Sequence, residues 1–312
     1  MIVKSINIGD LQLKNNIFLA PMAGYTDYAF RHFILQFGIG LSFTELVSAK
    51  GIVYKNKGNE ALLYCGEDIS NTAVQIFGSE PYYLRAACES EELKDFKIVD
   101  INMGCPVPKI FKNGEGSALL KDIHLAENIV KECVKSGKII TVKIRTGLKK
   151  GDDVALEYAK MAENCGAKLI TIHGRVRENY YSGEPDFLAI EKAKKSVKIP
   201  VVANGGIFTV EDAEGMINRT GADGIMLARG AIADPFLVCK LLGKTPPISL
   251  KEFMIKHVSL RREHMSDKRA AVEFRKFIPY YFKGIPNVKD LKMQLLSAEK
   301  TEDILSILEK SF

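Results

Sequence analysis

IITVKIRTGLKKGDDVALEYAKMAENCGAKLITIHG, residues 139–174, carries the pattern on which the fold turns. Two short β-rich runs, IITVKIRTG (139–147) and KLITIHG (168–174), bracket a segment with a different period. Between Asp153 and Cys165 the residues Val154, Ala155, Tyr158, Met161 and Ala162 share one helical face. A strand, a helical crossover and a second strand predict a parallel pair.

The same alternation extends outward in both directions. IFLAP (17–21), IGLSFTE (39–45), TAVQIFG (72–78) and IVDINMG (98–104) precede it, and PVVANGG (200–206) and GIMLARG (224–230) follow. Eight strand–helix units between Asn16 and Gly230 predict an α/β fold, a closed (β/α)8 TIM barrel. A doubly wound sheet is the alternative, because it too joins parallel strands by helices. IVKSINI and LQLKN flank Gly9-Asp10 and predict a hairpin that covers the bottom of the barrel. Residues 1–242 are therefore assigned to the barrel. GKTPP (243–247) reads as a linker, because paired prolines cannot continue a helix. Residues 248–312 hold long amphipathic runs and no β-rich run, so an all-helical C-terminal domain is expected.

Composition bounds the function. Of 312 residues, 46% are hydrophobic and 26% charged, an ordinary globular mixture. No apolar run approaches the ~18 residues of a membrane span, and the N-terminus lacks a signal-peptide core, so a cytoplasmic protein is expected; a monomer is expected too. The six cysteines form no CxxC pair and none has a histidine at zinc-ligand spacing, so no metal is expected. Net charge is +6, and residues 251–292 alone hold 11 Lys/Arg against 5 Asp/Glu. A local basic excess suits a polyanionic partner.

In this fold, chemistry sits where the strands end. The runs end in APMAG (20–24), Glu45, Gln75, Asn102 followed by Cys105, Lys143 with Arg145, His173, Asn204-Gly205-Gly206 and Arg229-Gly230. Glycines after strands seven and eight suit a phosphate cradle, where backbone N–H groups approach an anion closely. Lys143, in an otherwise apolar strand, needs an anionic partner, and the N1–C2 edge of a reduced flavin is one. Gln75 and Asn102 both donate and accept, which fits the edge of an isoalloxazine ring. Gly104 and Pro106 force a turn that lifts the Cys105 thiol over the mouth as a proton donor, and the two glycines of FKNGEGSALL (111–120) suggest a mobile loop beside it.

These segments together resemble the tRNA-dihydrouridine synthases, in particular the bacterial B-like type. The resemblance is carried by APMAGYTDYAFR (20–31), VQIFG (74–78), DINMGCPVPK (100–109), GSALL (116–120), TVKIRTG (141–147), TIHGRVRENYYSG (171–183), ANGGI (203–207) and FRKFIPYYFKGIP (274–286). It implies FMN as cofactor, NADPH or NADH as reductant, and tRNA as substrate. Hydride then goes from reduced FMN to C6 of a D-loop uracil, and a cysteine protonates C5. By motif match Cys105 is that acid, and Pro21, Met22, Ala23, Gln75, Asn102, Lys143, His173, Asn204, Gly205, Gly206, Ala228 and Arg229 hold FMN. Many B-like members read NGD where this chain has Asn204-Gly205-Gly206, so any contact by that acid is lost. A stacked uracil must be extruded at a cost of a few kcal/mol, which phosphate contacts help to offset. Arg175, Arg177, Arg261, Arg262, Lys268, Arg269, Arg275 and Lys276 are the candidates for those contacts, with Tyr180 and Tyr181 for stacking. The rival readings are a small-molecule FMN barrel oxidoreductase similar to dihydroorotate dehydrogenases, and a tRNA-binding protein without chemistry.

Overall fold

The computed structural model describes residues 2–311. Strands β1 (Ile6–Ile8) and β2 (Leu11–Leu13) form the expected antiparallel hairpin. Eight strands follow: β3 (Ile17–Leu19), β4 (Leu41–Ser48), β5 (Thr72–Phe77), β6 (Ile98–Met103), β7 (Ile139–Arg145), β8 (Leu169–His173), β9 (Val201–Asn204) and β10 (Gly224–Leu227). All pair in parallel, and β10 closes on β3, so the sheet is a barrel and not a doubly wound layer.

Side chains alternate across each strand, and the barrel uses this strictly. On β6, Val99, Ile101 and Met103 face the helical layer, whereas Ile98, Asp100 and Asn102 share the lumen side. The lower lumen is apolar: Phe18, Leu41, Phe43, Ala73, Ile98, Leu169 and Val202 pack against Ile6, Ile8 and Leu13 of the hairpin, which plugs that end. The upper lumen is polar. Register sets Asp100 beside Thr141, Asn102 beside Lys143, and His173 between Arg145 and Asn204. The barrel is thus sealed below and polar above.

One irregularity shapes the mouth. The β4–β5 register shifts between Phe43 and Leu46, and the Thr44 hydroxyl accepts from the Gln75 amide at 3.1 Å in place of a ladder carbonyl. This bulge turns Glu45 so that its carboxylate accepts from the Gly24 amide on the neighbouring loop.

The chain beyond the 243–247 linker is helical, with principal helices Leu250–His264, Asp267–Phe274, Lys289–Ser297 and Thr301–Lys310. The first starts at a capping box in which Ser249 and Glu252 satisfy each other's backbone amides. Its apolar side meets the barrel's first helix, Tyr28–Gln36, where Phe33 packs edge-on to Phe253 at 5.6 Å; Phe30 of the same barrel helix stacks at 5.7 Å on Phe277, from the turn Arg275–Phe277. One buried apolar cluster runs from the barrel strands through to Leu308 without a break. The helical region and barrel share a core, so the linker is a boundary of secondary structure and not of packing. No helix among the described residues is long and apolar enough to cross a membrane.

Candidate active site

A cavity of about 670 Å³ opens at the C-terminal ends of the strands, within the ~300–1,000 Å³ usual for small-ligand sites. Its wall includes Cys105 and all twelve side chains or glycines expected to hold a flavin, from Pro21 to Arg229. Pro21, Met22 and Ala23 give one apolar surface, and Gly205, Gly206, Ala228 and Arg229 line the opposite loops. Arg145, Tyr181, Phe208, Tyr25 and Tyr280 are among the other residues of the wall.

A buried polar relay holds the mouth in shape. Thr141 and Gln75 both donate to Asp100, at 2.6 and 2.7 Å. Asn102 Nδ2 donates to Gln75 Oε1 at 2.7 Å, and Asn102 Oδ1 accepts the amides of Cys105 at 2.9 Å and Gly104 at 3.2 Å. The expectation that Gln75 and Asn102 serve a ring edge therefore needs qualification. Most of their capacity goes to fixing the Cys105 turn, leaving each one amide hydrogen.

Cationic groups surround the relay. Lys143 donates to Asn204 Oδ1 at 3.0 Å, while Asn204 donates onward to the Met226 carbonyl. Burial pushes the Lys143 ammonium down to about 8, with Arg145 adding to the fall and Asp100 opposing it. Burial likewise raises Asp100 to about 6, against the pull of Gln75, Thr141 and Lys143. Arg145 donates to the carbonyls of Gly104, Val176 and Tyr180. His173 is 7% exposed, and burial, then Arg145, Lys143, Arg175 and Arg229, hold it well below the usual imidazole range. It is a neutral imidazole encircled by positive charge, an arrangement that favours an anionic ligand.

The glycine loops have the shape of an anion cradle. Gly205 and Gly206 adopt φ of +120° and +73°. A Cβ on Gly205 would lie 2.8 Å from the His173 ring, and one on Gly206 would lie 3.1 Å from Pro185. Among the described residues, the amides of Gly205, Gly206, Arg229 and Gly230 have no acceptor. Donors without acceptors beside several cations suit an anion. With glycine at 206, no carboxylate faces Arg175 there, and its guanidinium donates to the Ser182 and Gly183 carbonyls.

Cys105 is partly exposed at the lip; the other five cysteines are buried. Burial pushes its thiol up from the ordinary value, opposed by the Val107 amide and by Arg145 and Arg177. The thiol thus keeps its proton at neutral pH. The second half of the neighbouring loop is packed: Gly116 to Leu120 are buried, and Ser117 donates to the Cys105 carbonyl, whereas Lys112, Asn113 and Gly114 are exposed.

The basic residues expected on the RNA surface divide. Arg261 is fully buried, donating to Asp27 and at 3.0 Å to Glu273, so it is structural and withdrawn from that surface. Arg175 is also buried and belongs to the cavity wall. Arg275 braces the Ser297 and Ala298 carbonyls. Arg262, Lys268 and Arg269 are exposed, while Lys276 lies half-buried beside Tyr25 and Glu273. Arg177 lies over the Phe111 ring at 3.7 Å, and Tyr180 is exposed at φ +47°. Neither Arg177 nor Tyr180 lines the cavity; Tyr181, between Arg145 and Arg229, does. The sequence reading also left Tyr280 unassigned. Its only signal was its place in the FRKFIPYYFKGIP segment, since nothing local indicates that the helical region reaches the mouth.

The model of the Dus (dihydrouridine synthase) family matches residues 18–312. A probable tRNA-dihydrouridine synthase of Rickettsia bellii is 34% identical, over 92% of this chain and 91% of its own length. The tRNA-dihydrouridine synthase B of Pasteurella multocida is 35% identical, over 94% and 95%. Among solved structures, the old yellow enzyme homologue of Zymomonas mobilis superposes with a TM-score of 0.56 at 14% identity, over 78% of this chain and 92% of that one. A morphinone reductase variant in complex with tetrahydroNAD gives 0.58 at 12%, over 77% and 90%. At such identities the likeness shows the fold alone.

Proposed function

The chain belongs to the dihydrouridine synthase family, oxidoreductases acting on tRNA uridines, and from that premise we propose an FMN-dependent reduction of D-loop uridines with Cys105 as the acid. Family membership favours this over a small-molecule reductase or an inert RNA-binding protein. The single observation that carries the mechanism is a partly exposed thiol on the lip of a cavity ringed by cations.

The donor set fits FMN. The unpartnered amides of Gly205, Gly206, Arg229 and Gly230, with Arg175, would take the phosphate. Lys143 and neutral His173 would take the electron-rich edge of the ring, and Pro21, Met22 and Ala23 its flat face. When bound, FMN reduced by NADPH or NADH supplies the hydride for C6 of uracil. Cys105 donates its proton to C5, and the raised thiol pKa keeps that proton available at neutral pH. The base must leave its stack to reach the lip, and the exposed Arg262, Lys268 and Arg269, with Lys276, Arg177 and Tyr180, would hold the RNA backbone while it does.

Mapping dihydrouridine by mass spectrometry in tRNA from cells lacking this protein tests the reading. One or more D-loop positions should revert to uridine. An unchanged map, or purified protein that neither contains nor takes up flavin, would refute it.

A further inference from the structure

We infer that Ser117 is a positioning residue: with Gly116 it clamps the carbonyl side of Cys105 and so fixes where the thiol stands over the cavity. The inference rests on Cys105 being the acid and extends it to a residue twelve positions along the chain.

Cys105 is held from both sides. Asn102 accepts its amide, and Arg145 donates to the preceding Gly104 carbonyl at 2.9 Å. On the other side, Ser117 Oγ donates to the Cys105 carbonyl at 2.7 Å, and the Ser117 amide reaches the same oxygen at 3.2 Å. Ser117 has no exposure to solvent, so water cannot replace its hydroxyl. Gly116 closes the remaining space. It adopts φ +61°, and a Cβ there would lie 3.0 Å from the Cys105 Cβ. The segment bearing both residues is anchored independently, because Tyr158 donates to the Leu119 carbonyl at 2.7 Å. The chain thus brings a rigid turn back against the thiol-bearing residue, and proton delivery depends on distance and alignment more than on affinity.

Ser117→Ala removes the hydroxyl and leaves the amide bond in place, so the fold should persist. Thr220→Val removes a buried hydrogen bond, to the Met216 carbonyl at 2.7 Å, in the helix Val210–Thr220 outside the site, and is the structural control. In stopped flow, Ser117→Ala should slow flavin reoxidation by tRNA about tenfold, the scale of a lost, geometrically decisive hydrogen bond. Flavin reduction by NADPH and the KM for tRNA should stay unchanged. In the flavin-free protein, iodoacetamide should alkylate Cys105 several-fold faster once the clamp is gone, with mass spectrometry locating the adduct. Thr220→Val should lower thermal stability and change neither rate. The inference is overturned if both variants behave alike, if both half-reactions slow together, or if Cys105 alkylation is unaltered. Full activity in Cys105→Ala would instead defeat the acid assignment, and alkylation would still decide whether the clamp exists.

Discussion

Replacing Gly205 by alanine probes the anion cradle at its tightest point. The residue adopts φ +120°, a region from which L side chains are excluded, and a Cβ would meet the His173 ring at 2.8 Å and the Arg175 guanidinium at 3.0 Å. His173 is almost fully buried and Arg175 is bound to two carbonyls, so neither yields easily. The free loop should relax to negative φ and turn its amides from the cavity. Flavin binding must then reverse that relaxation, so the strain of about 2 kcal/mol appears as lost affinity. This corresponds to weakening on the order of 30-fold, before any displacement of His173. Fluorescence titration of flavin-free protein with FMN measures it. Gly221→Ala is the control: that glycine caps a helix at φ +65° with open space around it, so the change should cost about 1 kcal/mol of stability and no flavin affinity. An FMN Kd for Gly205→Ala within threefold of wild type would refute the cradle.

Arg261→Ala should destabilise the fold by about 3 kcal/mol in urea, because it removes the buried guanidinium that joins Asp27 to Glu273 at the seam between barrel and helices. The exposed Arg262→Ala should change stability by less than about 0.5 kcal/mol, and equal effects would show the buried pair to be idle. For pH, a group that works protonated and whose pKa burial has raised should leave turnover flat through neutrality. A fall through about 8 belongs to Lys143 and should persist in Cys105→Ala; a decline below the ordinary thiol range of about 8.5 that is present in wild type and absent from Cys105→Ala would contradict the assignment.

The barrel was legible because its signal is periodic. Each β-rich run ends in a glycine or polar turn, and all eight strands lie within the expected runs, apart from the last three residues of β4, beyond its bulge. The cavity wall was legible because strand ends converge on one mouth, so residues far apart in sequence need no pairwise evidence. The RNA surface was less legible. Charge counts do not distinguish the exposed Arg262 from the buried Arg261 beside it, since only tertiary packing supplies Asp27 and Glu273 as partners. Tyr280 and Ser117 were missed for a related reason. Each acts at the mouth from a segment whose local pattern describes only its own helix or turn.

The account stands most directly on one anaerobic experiment. Reduced, FMN-loaded protein is mixed with unmodified tRNA, and dihydrouridine formed per flavin is counted by mass spectrometry. Wild type should form one dihydrouridine for each flavin reoxidised, and Cys105→Ala, with FMN and tRNA still bound, should be slower by at least about 100-fold. Equal rates in the two proteins would contradict a protein thiol as the source of the C5 proton.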